Sequence, residues 1–177
     1  IIVTTTGPAN SQAVAEYTFA LLLGLIRNSP KADGIVRSGL WERGLLVGSE
    51  LAEKTIGLIG LGQIGSRVAR IARGFSMNIL GYDPYMMEAE DVELIDLPRL
   101  LAESDIVSLH VPHNEDTHHL INEDASQMKQ KAILVNTCRG GELLIKRRLR
   151  KRCKGIDSLE RPWIPSQCSL SLSMRTW

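Results

Sequence analysis

A doubly wound α/β domain is predicted by three features of this 177-residue chain. Short, nearly continuous apolar segments alternate with helical ones between Lys54 and Asn136. A glycine-rich turn joins the first of these strands to the helix behind it. A composition of 44% hydrophobic and 23% charged residues suffices for the core of one ordinary domain. Strands that are apolar throughout belong to a parallel sheet covered on both faces. The same composition excludes a disordered chain, and no apolar run approaches the ~20 residues of a membrane span.

Ile1–Thr5 reads as a short β-branched strand. Asn10 or Ser11 caps a helix whose apolar stripe is Val14, Tyr17, Thr18, Leu21, Leu22 and Leu25, and this helix is expected to stop near Asn28-Ser29-Pro30. A Gly-rich connection with Trp41 and Gly48 follows. Thr55–Ile59 is the next strand and 63–73 a helix with Ile64, Val68, Ile71 and Ala72 facing inward. Strand Asn78–Tyr82, a short helix over 97–102, strand 105–111, a short helix around 124–128 and strand 132–136 complete the alternation. The hinge strand and long helix occupy 1–30, and the α/β core 54–144.

Gly60-Leu61-Gly62-Gln63-Ile64-Gly65 is a Gly-x-Gly-x-x-Gly that follows a strand and opens a helix, the context in which it binds a dinucleotide. Gly60 permits the tight turn, Gly62 leaves room for a pyrophosphate, and Gly65 lets helix and strand pack closely. Amides of the helix's first turn then face phosphate charge. Asp83, 18 residues beyond Gly65 in Gly81-Tyr82-Asp83-Pro84, supplies the acid expected at the next strand's end. Its carboxylate accepts ribose hydroxyls and repels a 2′-phosphate, which favours NAD over NADP. The plainer alternative is that Asp83 only starts a turn before Pro84. The two signals together predict a Rossmann-type NAD-binding domain.

Further segments carry a family resemblance. Ala9-Asn10-Ser11, Ala13-Val14-Ala15-Glu16, Trp41, Gly48, Leu51 and the glycine motif resemble the D-isomer-specific 2-hydroxyacid dehydrogenases. So do Leu109-His110-Val111-Pro112, Leu120-Ile121-Asn122, Met128-Lys129 and Leu134-Val135-Asn136-Thr137-Cys138-Arg139-Gly140-Gly141. Tyr82-Asp83-Pro84-Tyr85 leans toward the 3-phosphoglycerate dehydrogenase branch. The resemblance runs from residue 1 to about 144. Gly7-Pro8 departs from it, since relatives have Pro-Gly there.

The resemblance implies hydride transfer between NAD and a D-2-hydroxy acid, with a small 2-oxo or 2-hydroxy acid as the partner and a possible homodimer through helices near the start. Gln63 and Ile64 would meet the pyrophosphate through backbone N–H groups, and Asp83 the ribose. Val111 and Pro112 would wall the cofactor, while Thr137 and Cys138 line the nicotinamide end. Arg139 would be the catalytic arginine, its planar fork clamping a carboxylate and polarising the carbonyl. His110 is read as a packed or cofactor-adjacent imidazole. His113, His118 and His119 are read as solvent-facing, with no metal site because no Asp, Glu or Cys converges on them. Cys138 is a small wall residue with no base to activate it.

The family's chemistry also needs a histidine that donates a proton and a glutamate that orients it, after a Gly-Ala-x-Leu-Asp-Val segment. No His follows His119, and neither Asp157 nor Glu160 stands in the expected order. The chain itself is therefore expected to be inactive. Residues 1–144 carry 12 Lys/Arg and 18 Asp/Glu, whereas Ile145 to Lys154 holds seven basic residues and no acid. Loss of one base near Leu143–Ile145 explains the change. Regrouped one base earlier, codon degeneracy lets the stretch from 144 spell Leu-Asp-Lys-Glu-Ala-Leu and 158–164 spell Phe-Ala-Gly-Ala-Ala-Leu-Asp. The aspartate that closes this stretch, at 164, supplies the acid that the family's Gly-Ala-x-Leu-Asp-Val segment carries. Residues 145–177 are thus expected to be an out-of-frame, disordered tail rather than a nucleic-acid-binding patch.

Three sparse cysteines, Cys138, Cys153 and Cys168, fit a reducing, cytoplasmic setting. The chain starts at Ile1 without Met, so it is expected to be a piece of a longer protein, its sheet incomplete at both ends. The rival to an enzyme is a non-catalytic NAD(H)-responsive binding protein of the same fold. Neither reading involves nucleic acid or membrane.

Overall fold

The computed structural model describes residues 9–118, 120–121, 127–138 and 172–173. The strand expected at Ile1–Thr5, the helix expected around 124–128, His119, Arg139 and nearly all of the 145–177 tail lie outside these residues. Six strands form one sheet: β1 (Thr55–Ile59), β2 (Asn78–Tyr82), β3 (Glu93–Leu94), β4 (Ile106–Leu109), β5 (Ile133–Asn136) and β6 (Leu172–Ser173). Their order is β3-β2-β1-β4-β5-β6, and every pairing is parallel. The chain therefore winds outward from β1 in one direction and from β4 in the other. The carboxyl ends of β1 and β4 form the crevice where such sheets bind ligands.

Both faces are covered, as the continuous apolar strands require. On one face α1 (Ser11–Ile26) and α3 (Gly65–Gly74) lay Ala15, Phe19, Leu22, Val68 and Ala72 over Ile56, Leu58, Ile79, Ile106 and Val135. Phe19 stacks on Phe75 with ring centroids 5.3 Å apart. On the other face α4 (Leu97–Glu103) sets Leu100 and Leu101 against Ile59, Leu80, Val107, Leu109 and Leu134. Asp96 caps α4 by accepting the Arg99 amide at 2.8 Å. Gly57 allows α4 this close, because a Cβ there would lie 2.5 Å from Leu100 Cδ2.

Three local expectations change. The first helix ends at Ile26, and Pro30 does not open a loop: it sits in the first turn of a second helix, α2 (Ser29–Arg37). Proline's missing N–H costs nothing in a first turn, and Asn28 makes the corner in the left-handed region with φ 53°. The glycine-rich connection thus begins with a helix and continues through a 3-10 turn at Arg43–Leu46. The helix expected from 63 starts at Gly65, because Gly62 to Ile64 form the turn that leads into it. The strand expected over 105–111 keeps only Ile106–Leu109, so that His110 and Val111 leave the ladder to flank that turn.

Candidate functional site

The glycine turn is built by close packing on one side and open space on the other. Gly60 adopts φ +90° and donates its N–H to Tyr82 O at 2.9 Å. A Cβ there would meet His110 O at 2.7 Å and Val111 Cγ1 at 2.8 Å. At Gly65 a Cβ would collide with the Gly60 carbonyl oxygen. Gly62 is the opposite case, with nothing within 4 Å of a Cβ. Ser66 N–H returns to Gly62 O at 3.0 Å and Val68 N–H to Ile64 O at 2.9 Å. The amides of Gln63 and Ile64 find no acceptor among the described residues. They stand at the positive end of α3, where unspent N–H groups and the helix dipole suit an anion.

Asp83 lies just past β2 and is half-buried. Its Oδ2 accepts the Leu61 amide at 2.9 Å and its Oδ1 the Tyr85 amide at 3.0 Å. The carboxylate therefore starts the turn before Pro84 and also fixes the glycine loop. Each oxygen keeps a further lone pair, so two outside hydroxyls can still be accepted.

The ends of β4 and β5 close the crevice. Leu109 pairs in register with Asn136, which brings His110-Val111-Pro112 beside Thr137-Cys138. Val111 is half-buried and Pro112 exposed. Thr137 is buried, with its Oγ1 3.4 Å from Thr18 Oγ1 on α1. The Cys138 N–H donates to Asn136 Oδ1 at 2.9 Å and its thiol to Leu109 O at 3.1 Å. Burial pushes that thiol up to about 11, so it stays protonated near neutral pH and is no nucleophile there. The His110 Nε2 lies 2.9 Å from Ser108 Oγ, and burial pushes the imidazole down to about 4. It is neutral at pH 7 and poorly suited to take up a proton there.

Among the described residues, His110 Nδ1 and Asn136 Nδ2 are buried polar atoms without a partner, at the carboxyl ends of β4 and β5. Sequence reasoning missed Asn136, Thr18 and Ser108, whose neighbours are fixed only by strand register and by α1 packing on the sheet. A polar Asn closing an otherwise apolar strand was the one available signal. His113 and His118 are exposed, and their rings touch, with Nε2 and Nδ1 3.3 Å apart. No group of three or more potential metal ligands occurs among the described residues. A cleft of about 460 Å³ opens between α3 and residues 86–92; it reaches Leu61 and Ser66 at the edge of the turn.

These residues fit a dinucleotide. Gly62 leaves the approach clear, Gln63 and Ile64 offer two amides, and Asp83 retains acceptor capacity one strand away. Residues 19–149 match the sequence profile of "D-isomer specific 2-hydroxyacid dehydrogenase, NAD binding domain". The chain is similar to a hydroxypyruvate reductase of Thermotoga maritima, 45% identical over 81% of this chain and 47% of that protein. It is also similar to a D-3-phosphoglycerate dehydrogenase of Methanocaldococcus jannaschii, 44% identical over 80% of this chain and 28% of that protein. Among solved structures, an acyclic imino acid reductase (Bsp5) in complex with NADPH and D-Arg superposes with a TM-score of 0.77 at 41% identity; 82% of this chain and 48% of that one are covered. The chain thus spans about half the length of these relatives, or less. No helix among the described residues is long and apolar enough to cross a membrane. With the glycine turn, the acid after β2 and a profile match over most of its length, the chain belongs to the D-isomer specific 2-hydroxyacid dehydrogenase family, whose NAD-binding domain it carries.

Proposed function

We propose that this chain is the cofactor half of a cytoplasmic oxidoreductase that moves hydride between NAD and a D-2-hydroxy acid, 3-phosphoglycerate among the candidates. The observation that carries the reading is the Asp83 carboxylate bonded back to the Leu61 amide, beside the open face at Gly62. NAD supplies the hydride acceptor at its nicotinamide ring. Gln63 and Ile64 bind the pyrophosphate through their amides, and Asp83 selects the unphosphorylated ribose. Val111, Pro112, Thr137 and Cys138 exclude water from the crevice and hold the nicotinamide end. Arg139, which the Thr137-Cys138-Arg139-Gly140 motif points to, clamps the carboxylate of the 2-oxo acid and stabilises charge on its carbonyl oxygen. A second copy of the chain is its partner, a reading supported by the exposed apolar side chains Val36, Leu40, Trp41 and Val47 along and after α2.

Among the described residues none is assigned the role of proton donor: His110 is buried and neutral, and the sequence has no His after His119, where the family motif carries its own. The full chain is therefore expected to bind NADH and to oxidise no hydroxy acid. Quenching of tryptophan fluorescence by NADH, run beside turnover assays with D-lactate, D-glycerate and 3-phosphoglycerate, tests this. Failure to bind NADH overturns the cofactor assignment, and turnover overturns the claim that the donor is missing. We propose in addition that residues 145–177 are read out of frame. Re-reading the DNA that encodes 135–177 should reveal one extra base near codon 144, and an unchanged sequence refutes the frame argument.

A further inference from the structure

Beyond the nucleotide crevice, we infer that His113 and His118 form a two-histidine binding site for a borderline divalent cation such as Zn²⁺. The segment between them is folded by a reciprocal clamp. The Asn114 N–H donates to Thr117 Oγ1 and the Thr117 N–H to Asn114 Oδ1, both at 2.9 Å. The Thr117 hydroxyl donates onward to Pro112 O at 2.6 Å. Five bonded neighbours apart in sequence, the two imidazoles are thereby turned face to edge, with centroids 5.6 Å apart and planes at 63°. His113 Nε2 and His118 Nδ1 stand 3.3 Å apart.

That separation is the one a metal needs. Two imidazole nitrogens at about 2.0–2.1 Å from a tetrahedral Zn²⁺ lie roughly 3.3–3.4 Å from each other, the chord of the tetrahedral angle. The cation takes the place of the contact between the two rings, each ring turning so that its nitrogen lone pair points at the metal. Imidazole nitrogen suits Zn²⁺, Ni²⁺ and Cu²⁺ and excludes Mg²⁺ and Ca²⁺ from strong binding. Glu115 and Asp116, exposed in the same loop, add negative potential that favours a cation. Waters complete the coordination, so the affinity falls short of that of a closed four-ligand structural site. The sequence alone hid the pair because His113 and His118 are not at a helical ligand spacing; the Asn114–Thr117 clamp creates the proximity.

The test is calorimetric titration of the full chain, reduced and freed of metal, with ZnSO₄ and with MgCl₂, while NMR follows the histidine ring protons. One Zn²⁺ should bind, the His113 and His118 signals should shift together, and Mg²⁺ should give no heat. His113→Asn and His118→Asn should each weaken Zn²⁺ by more than about tenfold, with circular dichroism unchanged. Zn²⁺ binding that persists at wild-type strength in either variant, as binding by the cysteines would, overturns the inference. So does a shift of only one of the two ring signals. Neither outcome depends on whether NADH binds.

Discussion

Replacing Asp83 by Ala separates the two jobs of this carboxylate. Within the protein it accepts the amides of Leu61 and Tyr85, at 2.9 and 3.0 Å. Both amides can be rehydrated at a half-buried site, so each lost bond costs about 1 kcal/mol of stability. In the proposed function, its remaining lone pairs accept hydroxyls of the cofactor's ribose. A hydrogen bond to a charged group contributes about 1.5–3 kcal/mol, and 1.4 kcal/mol is tenfold in affinity. Removing the carboxylate should therefore weaken NADH by about 10- to 100-fold. NADPH should lose little or gain, because the repulsion of its 2′-phosphate disappears with the charge. Titration of Asp83→Ala with both nucleotides measures the ratio, and a melting curve reports the structural part. Asp83→Asn keeps one carbonyl oxygen for the loop and controls for collapse of the turn. If both nucleotides weaken equally in both variants, Asp83 only braces the loop, and the argument for NAD selectivity fails.

The three glycines of the turn should behave differently when each is changed to alanine. Gly62→Ala meets no atom within 4 Å and should leave the melting temperature of the free protein unchanged while NADH affinity falls. Gly65→Ala and Gly60→Ala drive a Cβ into backbone, Gly60 at φ +90° besides, and should cost about 1–3 kcal/mol in a denaturant titration. Equal loss of stability at all three positions contradicts this division. His110 carries a pH signature: its imidazole, lowered by burial from 6.5 to about 4, binds its proton in the unfolded chain first. Stability from this group is complete above pH 6.5 and is lost as pH falls from there toward 4. Between pH 7 and pH 5 the loss is about 2 kcal/mol. Urea unfolding of wild type and His110→Asn at both pH values checks it, and parallel behaviour of the two proteins removes His110 as the cause.

Much of the sheet was legible because its strands are buried on both faces, so β1, β2, β4 and β5 announce themselves as apolar runs. β3 did not, since Glu93–Leu94 joins the edge through two backbone pairings and needs no apolar pattern. Pro30 was ambiguous in principle: the same ring that stops one helix opens another, and only the left-handed Asn28 decides between them. Two positions of the glycine turn were readable because Gly60 and Gly65 answer a steric demand within the protein, and that demand shows in the sequence as a missing side chain. Hydrogen-bond partners made by register leave no such trace. Nothing in Leu109-His110 or Asn136-Thr137 tells that one buried nitrogen on each side lacks a partner, or that Thr18 reaches Thr137 across the sheet. The parts of the crevice that sequence reasoning recovers are therefore those defined by exclusion, the bare backbone at Gly60 and Gly65. The parts it loses are those defined by neighbours. Arg139 follows Cys138, whose amide is held by Asn136 and whose thiol is held by Leu109, so the strand end leading to it is fixed from both sides. Asn136→Ala should thus free the Cys138 amide and loosen this strand end while leaving the glycine turn intact, which amide hydrogen exchange at Cys138 and at Gly60 would register.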